Sequence, residues 1–124
     1  MNERIDIRRG DIVDVDLGGA RGVEKMNYGT INSRPCIVVQ NDRGNTVSPL
    51  TQVVPLTGEQ QFKGYPVQVL LKASEILMPN SIDSSAECGH VRTIDRRRII
   101  NRRGFVRAEA MDRIDQALRI SLSL

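Results

Sequence analysis

The sequence predicts a mainly β protein of the α+β class, in which a small antiparallel barrel is followed by an amphipathic helix. Several short apolar segments lie between turn signals, a pattern typical of strongly curved sheets. The last residues repeat their apolar positions at helical spacing instead. The 124 residues correspond to the length of one domain. Because no linker, repeat or low-complexity stretch divides them, residues 1–124 are predicted to form a single domain.

The first predicted strand runs from Ile12 to Leu17. Its residues alternate in polarity: Val13, Asp14, Val15, Asp16, Leu17. This alternation indicates a half-buried strand whose carboxylates point to solvent. The segment from Gly18 to Ser33 is rich in glycine, asparagine and serine and has little periodicity, so it is predicted to be a mobile loop.

The next apolar run, Pro35 to Gln40, is continuous, which indicates a strand buried on both faces. A dense turn signal follows at Asn41 to Asn45. Thr51 to Thr57 is then predicted as the partner strand. Pro55 within it indicates a sheet edge or a bulge, because proline cannot donate to a strand ladder.

Three further strands are predicted at Val67 to Leu71, Glu87 to Ile94 and, as a short one, Gly104 to Val106. The C-terminal segment is predicted to be an amphipathic helix packed on the sheet. Its apolar stripe consists of Met111, Ile114, Leu118 and Leu122. Carboxylates near its start complement the helix dipole.

Charge alone decides little about the partner. The formal net charge of +3 permits a polyanionic partner without requiring one. Six arginines crowd one stretch of the chain: Arg92, Arg96, Arg97, Arg98, Arg102 and Arg103. Taken alone, such a run is more often a solvated, charged turn than a binding surface.

Metal and cofactor chemistry is not expected. Cys36, Cys88 and His90 cannot be assembled into zinc or iron–sulfur spacing. The N-terminus has no apolar stretch for a signal peptide, and no apolar run approaches membrane-spanning length. A cytoplasmic location with reduced thiols is therefore expected, with no membrane partner.

A domain this small is stabilised by self-association, so a homodimer is the starting hypothesis.

Five blocks of the sequence, in order, resemble the MazF/PemK family of toxins. They are RRGDIVDVDL (Arg8 to Leu17), SRPCIVVQND (Ser33 to Asp42), GNTVSPLTQVVPLT (Gly44 to Thr57), KGYPVQV (Lys63 to Val69) and HVRTIDRRRI (His90 to Ile99). Each block alone is weak, but five colinear blocks cover nearly the whole chain. The resemblance implies an SH3-like barrel of the CcdB/PemK type.

Two segments depart from the family pattern. The loop before Arg34 is extended, and Lys25 replaces the usual glutamine; because this loop flanks the family's RNA groove, it bears on RNA sequence preference. The segment Ser84 to Cys88 is polar where many relatives are uniformly apolar. This second departure is expected to affect strand packing and not the proposed catalysis.

The resemblance implies the toxin of a type II toxin–antitoxin system. Its activity would be sequence-specific, metal-independent cleavage of single-stranded RNA by 2′-hydroxyl attack, leaving a 2′,3′-cyclic phosphate and a 5′-hydroxyl. An acidic, MazE-like antitoxin segment would neutralise it.

The family's catalytic pair corresponds to Arg34 and Thr57. The guanidinium fork matches phosphate oxygens and can stabilise a phosphorane. Pro35 restricts Arg34 to an extended backbone, and Thr57 adds a compact hydroxyl donor. Arginine is a poor base at neutral pH, so charge stabilisation is favoured over proton transfer for Arg34, although the resemblance allows both.

The remaining candidate residues are expected to contact RNA: Glu24, Lys25, Gln40, Asn41, His90 and Arg92. Alternatives stay open for two of them. Glu24 contacts the edge of an RNA base, helps to orient Arg34, or is a solvated loop residue. His90 is an RNA contact, an acid or base, or a half-exposed strand residue.

Two other functions remain possible at this point. A CcdB-like toxin would bind and inhibit gyrase without nuclease activity, and a small barrel could bind nucleic acid without cutting it. The Arg34 and Thr57 pair and the arginine-rich stretch favour RNA cleavage.

Overall fold

The computed structural model describes residues 5–18 and 33–124. The strands in this part are β1 (Asp11–Asp16), β2 (Ser33–Val38), β3 (Leu50–Gly58), β4 (Gln68–Leu71), β5 (Ile76–Leu77), β6 (Ser84–Glu87), β7 (Arg92–Asp95) and β8 (Ile99–Val106). The α helices are α1 (Asp42–Val47) and α2 (Ala108–Leu122). Short 3-10 turns span Glu59–Gln61, Ala73–Glu75 and Arg96–Arg98.

The strands form one antiparallel sheet with the order β4-β6-β3-β2-β1-β8-β5, and β7 also pairs with β3. The two ends of this path, β4 and β5, are consecutive in the chain. Lys72 and the turn Ala73–Glu75 connect them, so the sheet curls until its ends nearly meet. The predicted mainly β barrel with a C-terminal helix is confirmed.

Strand β3 links the two halves of the sheet. It pairs with β2 along one side, and on the other with β7 through Leu50 to Val53 and with β6 through Leu56 to Gly58. It is therefore a central strand, but Pro55, which was predicted at a sheet edge or a bulge, pairs with no strand on this second side. Pro55 lies in the gap between the β7 and β6 pairings, where its missing N–H interrupts no ladder with either strand.

Apolar residues form two clusters, one on each face of β1 to β3. Successive residues alternate between the clusters: Ile12 and Ile37 belong to one, and Val13, Cys36 and Val38 to the other. Cys36, Ile37 and Val38 have no exposed surface, which confirms the strand buried on both faces. Burying such side chains stabilises the fold by about 1.5–3 kcal/mol each.

Helix α2 covers the first cluster and confirms the predicted helix, but its apolar stripe differs. Met111 and Ile114 are buried as expected, and Leu118 packs against the cluster. The residues that complete the buried face are Ala110 and Ala117, whereas Leu122 is 54% exposed. The small side chains let the helix approach the sheet closely.

Three local predictions need correction. The turn signal at Asn41 to Asn45 opens helix α1, because the Asn41 side chain accepts a hydrogen bond from the Gly44 N–H (2.8 Å) as the N-cap. The segment Glu87 to Ile94 is not one strand: β6 ends at Glu87, a turn follows, and β7 begins at Arg92. The short strand at Gly104 to Val106 is the end of the eight-residue β8.

Gly104 is required where β8 passes β5. A Cβ atom at this position would lie 2.0 Å from the Leu77 carbonyl oxygen, far inside any allowed contact.

In the described part of the chain, no helix is long and apolar enough to cross a membrane.

Candidate active site

An open cleft of about 700 Å³ lies where β2 begins and β3 ends. Its lining residues are Arg34, Pro55, Leu56, Thr57, Gly58, Gln60, Gln61, Gln68, Glu87 and His90. The structure thus brings the candidate residues Arg34, Thr57 and His90 into one cleft. It also adds Gln68 and Glu87, which the sequence analysis did not single out.

Arg34 is the second residue of β2, opposite Val15 of β1, and its side chain is exposed. The start of β2 therefore presents the Arg34 side chain to the cleft. Among residues 5–18 and 33–124, no carboxylate forms an ion pair with it. Because no described carboxylate occupies it, the guanidinium is available to an anionic ligand.

Thr57 lies near the end of β3, directly opposite Ser85 of β6. Its Oγ1 lies 3.3 Å from the Ser85 carbonyl oxygen and 3.3 Å from Glu87 Oε2. Both partners are acceptors when Glu87 is ionised, so the single hydroxyl proton of Thr57 is directed into the protein. The lone pairs of Oγ1 are left for the cleft.

The Glu87 carboxylate is held by three neighbouring side chains. Besides Thr57, the Ser85 hydroxyl donates to Oε2 (2.8 Å), and Gln68 Nε2 donates to Oε1 and Oε2 (3.1 and 3.2 Å). Gln68 is fixed in turn, because it accepts from the Lys63 N–H (2.8 Å) and donates to the Gln61 carbonyl oxygen (3.0 Å). The carboxylate is therefore oriented from the sheet and from the neighbouring loop.

Strand geometry places these groups together. Ser85 and Glu87 are two residues apart on β6 and share a face, and Glu87 lies opposite Gln68 of β4. The expectation that Ser84 to Cys88 affects only strand packing is thus wrong, because Glu87 contacts Thr57. The available signal was the polar pair Ser85 and Glu87 at spacing two.

His90 lies at the cleft in the turn between β6 and β7 and is exposed. The expectation of a half-exposed strand residue is therefore incorrect for its backbone. Its N–H donates to the Glu87 carbonyl oxygen at 3.1 Å, which closes the turn.

Gln40 and Asn41 are not among the residues that line the cleft. Gln40 Nε2 donates to Asn45 Oδ1 and to the Leu50 carbonyl oxygen, both at 3.0 Å, and Asn41 caps helix α1. Along the extended chain, Gln40 is about 20 Å from Arg34. Their contacts here are structural, and their predicted role in RNA binding stays a prediction.

Arg92 also lies outside the cleft, on β7 opposite Val53. It lines a separate depression of about 260 Å³ together with Leu17 and Arg98. Glu24 and Lys25 belong to residues 19–32, outside the described part of the chain, as does most of the predicted mobile loop from Gly18 to Ser33.

The arginine-rich stretch is largely engaged within the protein. Arg96 is buried and donates to the carbonyl oxygens of Asn45 and Ile5. Arg102 Nε lies 2.9 Å from a carboxylate oxygen of the buried Asp11. The stretch therefore holds the barrel together in addition to contributing surface charge.

The same stretch forms two further ion pairs. Arg103 lies 3.5 Å from Asp14, so the Asp14 carboxylate faces an arginine, where solvent alone was expected. Hydrogen bonds from the Arg97 side chain and N–H lower the pKa of Asp95 to about 2. The Asp95 carboxylate therefore remains ionised through the physiological range.

The two cysteines lie in the core. Burial raises the pKa of Cys36 to about 11 and that of Cys88 to about 12. Neither thiol is a nucleophile at neutral pH. Among the residues whose placement is described, no group of three or more His, Cys, Asp or Glu could hold a metal ion.

Comparison with known proteins shows a match to one protein family and similarity to characterised proteins. Residues 8–122 match the family described as PemK-like, MazF-like toxin of type II toxin–antitoxin systems. The chain is 37% identical to the endoribonuclease MazF9 of Mycobacterium tuberculosis, over 95% of this chain and 98% of that protein. It is 35% identical to the endoribonuclease EndoA of Bacillus subtilis, over 95% and 96% of the respective chains.

Solved structures agree in fold. A mycobacterial endoribonuclease in complex with its cognate antitoxin superposes with a TM-score of 0.74 at 21% identity, covering 95% of this chain and 96% of that one. MazF from a MazE–MazF structure of Deinococcus radiodurans gives a TM-score of 0.69 at 24% identity, covering 97% and 98%.

Proposed function

The chain belongs to the PemK-like, MazF-like toxin family of type II toxin–antitoxin systems, and on that premise we propose that it is an endoribonuclease toxin acting on single-stranded RNA. Two relatives with 35–37% identity over nearly the whole chain are endoribonucleases. Its activity would inhibit growth unless an antitoxin neutralises it. The family and these relatives favour a nuclease over the CcdB-like, gyrase-inhibiting alternative.

The observation that carries the proposed mechanism is the shared cleft of Arg34 and Thr57. In cleavage without a metal ion, the 2′-hydroxyl attacks the adjacent phosphorus and forms a phosphorane with additional negative charge. A preorganised donor aimed at that charge is the largest source of acceleration in such reactions. Arg34, exposed at the strand start and unpaired by the described carboxylates, fits this role.

The leaving 5′-oxygen also needs a proton. An arginine guanidinium is a poor proton donor and acceptor near neutral pH, because it stays protonated in proteins. His90 is exposed at the same cleft and is the candidate donor, with an RNA contact as its alternative. The products are a 2′,3′-cyclic phosphate and a 5′-hydroxyl.

We assign sequence preference to RNA contacts both at the cleft and outside it. We assign RNA contacts to His90 and, on the family resemblance, to Glu24, Lys25, Gln40, Asn41 and Arg92. Bases of a single strand can be read by stacking and by their edges, so these contacts would select the cleavage motif.

Regulation follows from the family. Solved relatives include toxins in complex with antitoxins. We propose that a MazE-like antitoxin with an acidic segment binds this chain. The chain would act as a homodimer in the cytoplasm, where its RNA substrates are. The acidic segment would fold on binding and occupy the same groove as RNA.

Incubating the purified chain with a mixed pool of single-stranded transcripts tests the proposal. We expect cuts at a recurring short motif, with a 2′,3′-cyclic phosphate at the 3′ end of each upstream fragment and a 5′-hydroxyl on each downstream fragment. Arg34→Ala, purified identically, controls for contaminating nucleases. Intact RNA together with inhibition of DNA gyrase would instead identify the CcdB-like alternative.

A further inference from the structure

The Glu87 carboxylate is the one acidic group that lines the described part of the cleft, and it contacts Thr57 directly. A carboxylate in a groove for polyanionic RNA is electrostatically unfavourable for binding, because it repels phosphate. Its position is nevertheless fixed by Ser85 and Gln68. This combination suggests a part in the chemical step and not in holding RNA phosphates.

The orientation of Thr57 indicates what that part is. Its hydroxyl proton is directed toward the Ser85 carbonyl oxygen or Glu87 Oε2, both at 3.3 Å. Toward the cleft, Oγ1 can therefore accept a hydrogen bond. A substrate 2′-hydroxyl is a group that would donate one. This orientation differs from the donor role that the sequence analysis expected of Thr57.

Resting on the proposed ribonuclease function, we propose that Glu87 is the final acceptor of the proton that leaves the 2′-hydroxyl, with Thr57 as the relay. As the 2′-oxygen forms its bond to phosphorus, its proton passes to Thr57 Oγ1, and the Thr57 proton passes to Glu87 Oε2. The bond from phosphorus to the 5′-oxygen breaks, and that oxygen takes a proton from His90 or water. The neutral Glu87 then releases its proton to solvent.

Glu87 acts through Thr57 and is a positioning residue in this scheme. The other ionisable side chains that line the described part of the cleft are Arg34 and His90. Arg34 stabilises charge on the phosphorane, and His90 lies in the turn that follows Glu87. Base and acid thus come from opposite sides of the same turn.

The first test compares Glu87→Gln with the wild-type protein. The amide keeps the shape and an acceptor oxygen but cannot take the proton at neutral pH. We expect kcat to fall about 100-fold or more, with KM changed by less than about threefold and thermal unfolding retained. The acidic limb of the kcat–pH profile should disappear. Glu59→Gln makes the same change of charge on an exposed neighbour outside the cleft lining, and should keep the wild-type kcat.

Thr57→Val provides a second variant that leaves Glu87 in place. It removes the relay, so it should lose the same acidic limb. Because the two residues act as a unit, the double variant should be little slower than the slower single variant. A substrate with sulfur at the 5′ leaving position needs no proton on its leaving group, and the Glu87→Gln defect should persist with it.

Wild-type kcat and an unchanged pH profile in Glu87→Gln would overturn the relay while leaving the nuclease function intact. Full recovery on the 5′-sulfur substrate would overturn it too, because the carboxylate would then serve the leaving group. Multiplicative losses in the double variant would mean independent roles and contradict the relay. If the wild-type chain cleaves no RNA, both the relay and the proposed function fail.

Discussion

Replacing Arg34 by alanine should separate catalysis from stability. The side chain is exposed and forms no ion pair with the described carboxylates, so its loss should change the free energy of unfolding by no more than about 0.5 kcal/mol. That corresponds to a shift in Tm of about 2 °C at most. The loss of a charge-assisted donor from the transition state, by contrast, should lower kcat by about 10²–10³-fold, or about 2.7–4 kcal/mol.

The assay is single-turnover cleavage of a short RNA that contains the mapped motif, with thermal unfolding measured in parallel. Arg34→Lys keeps the charge but lacks the planar fork, and should recover little of the lost rate. Arg119→Ala removes an exposed arginine of helix α2 outside the cleft lining and should cleave normally. A folded Arg34→Ala protein that cuts RNA at the wild-type rate would refute the assignment of Arg34.

Four further outcomes are expected. Cleavage should survive excess EDTA, and activity that returned only with magnesium would contradict the mechanism. Cys36 and Cys88 should resist iodoacetamide at pH 8 in the native protein and react after unfolding. With a pKa of about 11 or above, only about 0.1% or less of each cysteine is thiolate at this pH. Rapid labelling of the native protein would argue against their burial. Asn45→Ala should destabilise the fold by about 2–3 kcal/mol in urea unfolding, since it leaves the buried Thr51 hydroxyl, now 2.7 Å from Asn45 Oδ1, without that acceptor; exposed Thr46→Ala is the control. An acidic antitoxin peptide should displace an uncleavable RNA, with RNA affinity falling in salt by about −0.7 per neutralised phosphate in log–log slope; a stable ternary complex would exclude a shared groove.

Periodicity predicted the elements whose burial is regular. The alternation of Val13 and Val15, the apolar run at Cys36 to Val38 and the helical spacing of Met111 and Ile114 each reflect a face that must be buried. These features fixed a mainly β fold with a terminal helix. The prediction of one strand from Glu87 to Ile94 was wrong, because the apolar pattern does not reveal the tight turn within this segment.

Asn41 illustrates a different limit. Asparagine favours both turns and helix N-caps for the same reason, since its side chain accepts from nearby backbone N–H groups. The sequence alone does not tell whether the chain continues as a helix, and here tertiary contacts of Asn45 with Thr51 and Arg96 support one.

The candidate site was predictable only in part. Arg34 and Thr57 were identified from the family resemblance, and no periodicity links two residues on separate strands. Glu87 was missed because its contact with Thr57 depends on the register of β3 against β6. That register brings together Thr57 and Glu87, which are 30 positions apart in sequence, and local pattern cannot determine it.

The place of β6 in the sheet has a consequence for the timing of synthesis. A ribosome making this chain produces Arg34 and Thr57 first, but the cleft lacks its second wall until Ser84–Glu87 and His90 have emerged. Strand β8, which pairs with β1, follows later still. At about 5–20 residues per second, a nascent chain therefore spends most of its synthesis without a complete cleft. A complete nuclease cleft therefore forms only late in synthesis, after these strands have left the ribosome.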